Sequence, residues 1–419
     1  APIPNTHPQQ TQIKSVYRVK IRVKVCVPGK GLEANCERYP SGNYKPVGLL
    51  QQYSGNLRYS VFGYLNDSNM LRDGGVLRAQ QKFISPTSTN PEWDANTGVM
   101  ALNPDNITTS LGRTISNSGV MNYLNKFGEL NTNSFKSHDP VSELYYTALR
   151  YFKNQGNVAA YSSATPAHEP NPSGTTLDRW HDGFPVITNW NDPIQYACQK
   201  NVILGIGDTN THRDKNLPGN TVTTDEPNVP SEVSSDNTIN VVTATQKVAE
   251  LEGITISTPF NSSRRSSAYI AGLAYDANTK DIRTDVSGKQ TVSTYWVDVR
   301  EGQVIAQRAN NQYWLAAKYG GFKVPSDFGN PYERTTALQE SWWRTTTDML
   351  DTNYPRPDNF FVASDATNMV ASLKKAFAQI SNEVQSTTAS LATNSTRLET
   401  DTAVFQSRLD LSLIHISER

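Results

Sequence analysis

Long apolar runs are missing from this chain. No window approaches the roughly 18 consecutive apolar residues that a membrane-spanning helix needs, so a helical span is excluded. No signal peptide is visible. The chain begins at Ala1, not Met, which leaves room for a leader or an upstream segment ahead of it. A charge excess of either sign is also missing: 39 basic and 39 acidic residues cancel. That balance carries no footprint of a nucleic-acid partner and offers little long-range steering. Several catalytic signatures are absent as well. There is no His-x-x-x-His, no Gly-x-Ser-x-Gly, no P-loop and no dinucleotide fingerprint. Cysteine is scarce, at three residues in 419. No second Cys/His pair has ligand spacing, which argues against a zinc site.

What is present looks exported and globular. Only 19% of residues are charged, while Ser, Thr and Asn recur throughout, a balance closer to a secreted or cell-surface protein than to a cytosolic enzyme. Hydrophobic residues make up 37% and include 7 Trp and 19 Tyr, enough for a real core. Cys26 and Cys36 flank the turn-rich stretch "CVPGKGLEANC". Outside a reducing compartment a disulfide closing this loop is the economical reading, with two unpaired thiols as the alternative. Cys198 is left over and is expected to be buried ahead of a strand.

Periodicity gives the element order. Residues 17–27, "YRVKIRVKVCV", alternate apolar and basic, which predicts a strand with one packed and one solvated face. The basic stripe reads as a solvated face rather than as a site for an anionic polymer. A short helix is expected over 46–53, strands over 57–65 and from Val76, and a long polar surface insertion over 84–136. "HDPVSELYYTALRYFKN", 138–154, is the clearest helix, with Asp139 able to cap it and Pro140 suited to its first turn. A strand at 202–206, helices over 238–252 and 266–278, a strand over 290–301, and helices over 311–319 and 366–384 follow. Strands alternating with helices predict an α/β fold with a mostly parallel sheet covered on both sides. In such sheets ligands sit beyond the carboxyl ends of the strands. Asp208 lies at such an end, in "NVILGIGDTNTHRDKN". Asp208, Thr209 and Thr211, with Asp139 and Ser142, offer the oxygens that a hard cation, Mg²⁺ or Ca²⁺, requires. The plainer reading makes Asp208 a turn residue and Asp139 a helix cap.

At "DPVSELYYTALRYF" and "CQKNVILGIGDTNTHRDKNLPG" the chain resembles the PilC/PilY family of type IV pilus biogenesis factors and pilus-tip adhesins. "YKPVGLLQQYSGNLRYSVFGYLND", "DGGVLRA", "HDGFPVITNW", "YIAGLAYDANTKDIRTD", "YWVDVRE" and "YWLAAKYGGF" extend the resemblance over about 17–410. It implies a signal peptide, a von Willebrand factor A-like (Rossmann-like) domain, here 17–385, and a C-terminal β-propeller with a calcium site. Residues 1–16 would be a flexible segment, 84–136, 155–192 and 209–235 insertions, and 386–410 a linker into a propeller outside this chain. The tail "LSLIHISER", 411–419, resembles a translated sequencing adapter and is set aside as an artefact. In A-type domains a metal-dependent adhesion site combines D-x-S-x-S, a loop Thr and a later Asp. Asp208 falls at the last position and Asp139 at the Thr position. No D-x-S-x-S occurs in the first part of the chain, so either the motif lies upstream of Ala1 or the site is degenerate. The resemblance implies a non-enzymatic assembly factor and adhesin that promotes pilus extension, adhesion, surface sensing and twitching motility. Its partners would be minor pilins and a host-cell or abiotic surface. Its location would be the periplasm, the outer membrane surface and the pilus tip. A secreted hydrolase or carbohydrate-processing protein using Cys198 and His212, and a structural spacer, are the alternatives.

Overall fold

A computed structural model describes residues 2–3, 16–17, 23–66, 72–107, 117–130, 138–163, 183–256, 266–300, 310–350 and 354–385. The chain divides into two compact units, residues 1–48 with 94–99, and residues 49–93 with 100–419. The division falls inside the span 17–385 expected to be one domain.

The first unit holds two small antiparallel pairs. β1 (Pro2–Ile3) pairs with β2 (Val16–Tyr17), and β3 (Cys36–Arg38) pairs with β4 (Tyr44–Pro46). Cys26 and Cys36 are joined by a disulfide, with Cα atoms 5.6 Å apart. The expected strand over 17–27 is not continuous. Residues 18–22 lie outside the described residues, and 23–27 are not strand. Val23 and Val25 are 78% and 50% exposed, and Cys26 takes φ 55°. The alternation there marks no buried face: the disulfide turn takes the chain out of extended geometry.

The second unit starts with α1 (Leu49–Gln52) and an antiparallel hairpin of β5 (Tyr59–Gly63) and β6 (Val76–Lys82). Helix α2 (Val120–Leu130) sits inside the stretch expected to be irregular, and its amphipathic run packs Val120 and Met121 inward. Next come α3 (Val141–Phe152), the short α4 (Ala159–Ser162), β7 (Asn201–Gly207) and the short α5 (Ser231–Ser234). They are followed by α6 (Val241–Glu252), α7 (Tyr269–Thr279), β8 (Val292–Asp298), α8 (Gln312–Tyr319), the short α9 (Glu340–Trp343), β9 (Phe360–Val362) and α10 (Ala366–Gln385).

β7, β8 and β9 form a parallel three-stranded sheet in that order. Parallel neighbours need long crossovers, and α6–α7 and α8 supply them. Period-two alternation in β8 sends its side chains to two cores. Val292 and Trp296 join a large core with α3, α6, α7 and α8, while Tyr295 and Val297 join a second one with Leu57 and with Phe377 and Ile380 of α10. Polar contacts fix the two layers. Tyr145 Oη of α3 lies 2.6 Å from Thr294 Oγ1, and Tyr295 Oη donates to Glu383 Oε2 of α10 at 2.6 Å. Local chemistry sets the helix ends. Asn240 Oδ1 accepts the Thr243 N–H at the start of α6, and Gly253, at φ 66°, ends that helix in the left-handed region. The fold is thus mixed α/β, a parallel three-stranded sheet flanked by helices.

No described helix is long and apolar enough to cross a membrane. Cys198, expected to be buried, is exposed, because it lies in the turn ahead of β7 rather than in the strand. The expected linker at 386–410 and the tail at 411–419 lie outside the described residues, as do 1–16 apart from Pro2, Ile3 and Val16.

Candidate functional site

The carboxyl ends of β7 and β8 carry two acids side by side. Gly207 pairs in register with Asp298, so Asp208 follows one strand end where Asp298 closes the other. Asp208 Oδ1 accepts the Asn210 N–H at 2.7 Å, the short turn that stops the strand. Asp298 is 2% exposed. Its Oδ1 accepts the Arg300 N–H at 2.9 Å, and its Oδ2 accepts Asn311 Nδ2 at 3.2 Å. Burial, with the Asp208 charge adding to it, pushes the Asp298 carboxyl above its usual range. Asn311 also caps α8, its Oδ1 accepting from Tyr313 and Trp314 N–H. One side chain therefore joins a strand-end acid to a helix start.

Asp139 comes to this rim from the other direction. The sequence reads it as a cap of α3, but the structure does not. Pro140 is the N-cap residue and makes no side-chain cap bond. Asp139 Oδ1 instead lies 2.6 Å from His212 Nδ1, on the loop after β7. The imidazole outcompetes the helix end because it offers a charge-assisted partner. Desolvation pushes Asp139 up to about 6, while His212 opposes that shift and the Asp208 charge adds to it. The His138 ring lies tilted against that of His212, with centroids 5.7 Å apart and planes at 41°.

Ser142, also offered as a cation ligand, points elsewhere. Its Oγ donates to Asp214 Oδ2 at 2.9 Å and lies 3.2 Å from Ser267 Oγ. Asp214 further accepts the Ser267 N–H at 2.6 Å and Thr211 Oγ1 at 3.2 Å. Ser142, Thr211, Asp214 and Ser267 are all buried. Burial pushes Asp214 up to about 6 against these donors. Thr209 contributes its backbone carbonyl, which accepts Gln312 Nε2 of α8 at 3.1 Å.

Asp208, Asp139, Ser142 and Thr209 thus gather on one side of the fold, each with its own protein partner. As arranged they do not form a ready cage for Mg²⁺ or Ca²⁺. Asp139 is held by a histidine and Ser142 by Asp214, and no three ligand atoms drawn from Asp208, Asp139 and His212 come within 4.8 Å of one another. The rim is better described as an acidic edge, Asp208, Asp139 and Asp298, above a buried polar anchor, Thr211, Asp214 and Ser142. Asp298 is the residue that sequence reasoning missed. Its signal was the end of the alternation in "STYWVD", the same signal that singled out Asp208. Cys198 and His212 do not form a nucleophile–base pair. The first precedes β7 and the second follows it, so a seven-residue strand of about 3.3 Å per residue separates them.

Comparisons with known proteins agree on one family. Residues 62–278 match the family model described as PilY1 homolog, second domain. The chain is 48% identical over 97% of its length to the type IV pilus biogenesis factor PilY1 homolog of Xylella fastidiosa (strain Temecula1 / ATCC 700964). It spans 35% of that relative. No solved structure matches. The chain belongs to the PilY1-homologue family of type IV pilus biogenesis factors.

Proposed function

We propose that this chain is the α/β part of a non-enzymatic type IV pilus assembly factor and tip adhesin, acting in pilus extension, adhesion, surface sensing and twitching motility. The observation that carries the reading is the likeness along nearly the whole chain to a pilus biogenesis factor. In this reading the parallel sheet and its helices belong to a von Willebrand factor A-like domain, placed in the periplasm, on the outer membrane surface or at the pilus tip. The half-buried Asp208 and Asp139 of the acidic edge are the contact face, backed by the buried Asp298, and minor pilins are its partners. Half-buried carboxylates on a rim suit basic side chains of a partner, where they set orientation and on-rate more than affinity. A Mg²⁺ or Ca²⁺ at Asp208 fits this reading only if ligands beyond Asp139, Ser142 and Thr209 complete its shell.

The test replaces Asp208 and Asp139 by Ala in the full-length protein of the host bacterium, in a strain lacking the native copy. The expected result is normal pilus number with reduced surface attachment. Wild-type attachment and twitching from the double variant would sink the acidic-edge reading and leave a spacer role. Calorimetry with Mg²⁺ and Ca²⁺ on parent and Asp208→Ala protein tests the cation at the edge: unchanged binding would remove Asp208 as a ligand.

A further inference from the structure

The loop after β7 carries a second acidic group, deeper than the edge. Glu143 on α3, Asp73 in the turn before β6 and Glu226 far along that loop each bring a carboxylate oxygen within 4.8 Å of the others. Glu143 is fully buried, Asp73 is 6% exposed, and the Glu226 side chain is 0% exposed. The three come from separate elements, and each is fixed in place. Glu143 Oε2 accepts the Gly74 N–H at 2.8 Å, and its Oε1 accepts the Asn216 N–H at 2.9 Å. Asn216 Nδ2 donates to Asp73 Oδ2 at 2.6 Å. Lys215 Nζ lies 3.0 Å from Glu226 Oε1 and donates to the Thr224 carbonyl at 3.2 Å.

Two further observations set this group apart from a self-contained polar network. Glu226 Oε2 is buried and accepts no hydrogen bond among the described residues. Tyr161 is 1% exposed, and its Oη makes no hydrogen bond among the described residues either. The Tyr161 ring lies against Gly74, where an added Cβ would fall 2.2 Å from Cε2. The strongest charges acting on its hydroxyl are Glu143 and Asp73. A buried hydroxyl beside the cluster and a buried carboxylate oxygen within it therefore both lack a hydrogen-bond partner among the described residues. Leaving either unsatisfied carries the full desolvation penalty of the group. Crowded burial also leaves Glu143 far from comfortable as an anion: desolvation first, then the Asp73 and Glu226 charges, push its carboxyl well above the usual range. Lys215 answers Glu226, while backbone N–H groups alone hold Glu143.

We propose that Asp73, Glu143 and Glu226 form a divalent-cation site, bordered by Tyr161, that fastens the loop after β7 to α3 and to the turn before β6. All the donors are oxygens, with neither His nor Cys among them, which selects a hard cation over zinc or copper. Calcium–oxygen bonds of about 2.4 Å place ligands on opposite sides of the ion about 4.8 Å apart, and mutual separations up to that value suit a Ca²⁺ shell. The cation balances the crowded carboxylate charge around Glu143, and gives the Tyr161 and Glu226 oxygens a partner. This site is separate from the acidic edge and does not depend on the pilus reading.

The test uses the whole chain, stripped of metal with a chelator and titrated with CaCl₂ by calorimetry, with the melting temperature followed in Ca²⁺ and in EDTA. We expect one Ca²⁺ per chain and a midpoint several degrees higher in Ca²⁺. Glu143→Gln and Glu226→Gln should lose the binding heat and the Ca²⁺-dependent shift. Each variant's shift is read against its own midpoint in EDTA, because Glu226→Gln also leaves the buried Lys215 without its carboxylate. Asp208→Ala should bind Ca²⁺ as the parent does. A metal-free parent that takes up no Ca²⁺ overturns the proposal, as does a Ca²⁺ response that survives Glu226→Gln and vanishes in Asp208→Ala.

Discussion

Gly205 is the most exacting position in β7, and its replacement by Ala tests how the strand ends are held. Gly205 pairs in register with Trp296 of β8. A Cβ built on it would fall 2.0 Å from Trp296 Cζ3, 2.2 Å from Cε3 and 2.7 Å from Cη2. The indole has little room to retreat. It stacks on Tyr313 with centroids 4.0 Å apart and planes 10° apart, its Nε1 donates to the Gly207 carbonyl at 3.3 Å, and it is 3% exposed. Overpacking a core costs about 1–3 kcal/mol, and weakening an aromatic stack adds about 0.5–1.5 kcal/mol. The lower chain entropy of Ala in the unfolded state returns about 0.4–1 kcal/mol. The net expectation is a loss of about 2–3 kcal/mol, or a midpoint about 3–5 °C lower for a unit of this size.

Gly207→Ala is the control two residues away. Its Cβ would meet only Trp296 Cζ2, at 3.5 Å, an ordinary contact. It should stay within about 0.5 kcal/mol of the parent. Thermal melts of the three proteins, read by tryptophan fluorescence, decide the matter. If Gly205→Ala and Gly207→Ala melt together, the packing argument fails. The consequence reaches the site, because Asp298 lies two residues beyond Trp296. A displaced indole therefore disturbs the strand end that holds an edge acid.

Three further expectations follow from single contacts. Asp214 is held up to about 6 in the fold, against about 3.9 for an unperturbed Asp, so the native state favours its protonated form. Its contribution is greatest below about pH 4 and is lost as pH rises to about 6, a change of at most about 3 kcal/mol. The stability difference between parent and Asp214→Asn should therefore vary over that window and be flat above it, and parallel profiles from urea melts would refute the assignment. His212→Ala removes the group that opposes the rise of Asp139, so the Asp139 carboxyl should titrate above about 6 by NMR; an unchanged or lower value would count against the ion pair. Replacing Cys26 and Cys36 by Ser opens a loop closed over a separation of 10 residues, worth about 3 kcal/mol in the chain-entropy picture. Faster proteolytic cleavage within 23–48 should report it, and equal cleavage would argue that β3 and β4 hold without the bridge.

Much of the second unit was legible in the sequence because its elements are long enough to show their period. The stripe Val141, Leu144, Tyr145, Ala148, Leu149 and Phe152 located α3, although the helix is buried on all sides and Leu144 is its one half-buried residue. The run at 201–207 and the alternation at 292–298 are the two longer strands of the parallel sheet. β9 was not legible. Three residues, Phe360–Val362, show no period, and only the register with Trp296–Asp298 makes them a strand. Helix α2 was hidden by composition, since Asn, Ser and Gly around 84–136 outweighed one amphipathic turn pattern. The opposite mismatch lies at 23–27. Perfect alternation predicts a packed strand there, but a period only describes what a face could do, and Val23 and Val25 find nothing to pack on.

The site divides the same way. Asp208 was legible because strand ends in open α/β sheets are where ligands bind, a rule that needs only the strand. The partners of Asp139 and Ser142 were not, because they lie 73 and 72 residues away, at His212 and Asp214. The loop after β7 links the two levels. Its first residues, Asp208 and Thr209, stay half-buried at the edge, whereas Thr211, Asp214, Lys215 and Asn216 are buried. A loop that only connected two elements would keep such residues in water, since burying charge without a partner is expensive. Here every one of the four has a partner, on α3, in the turn before β6, at Ser267, or within the loop itself. Such a network adds little net stability, yet it admits few alternative arrangements, because breaking one member strands another. The buried half of the loop therefore sets the direction in which the acidic half faces, which makes the polar anchor, and not the edge residues themselves, the part of this chain that defines the proposed contact face.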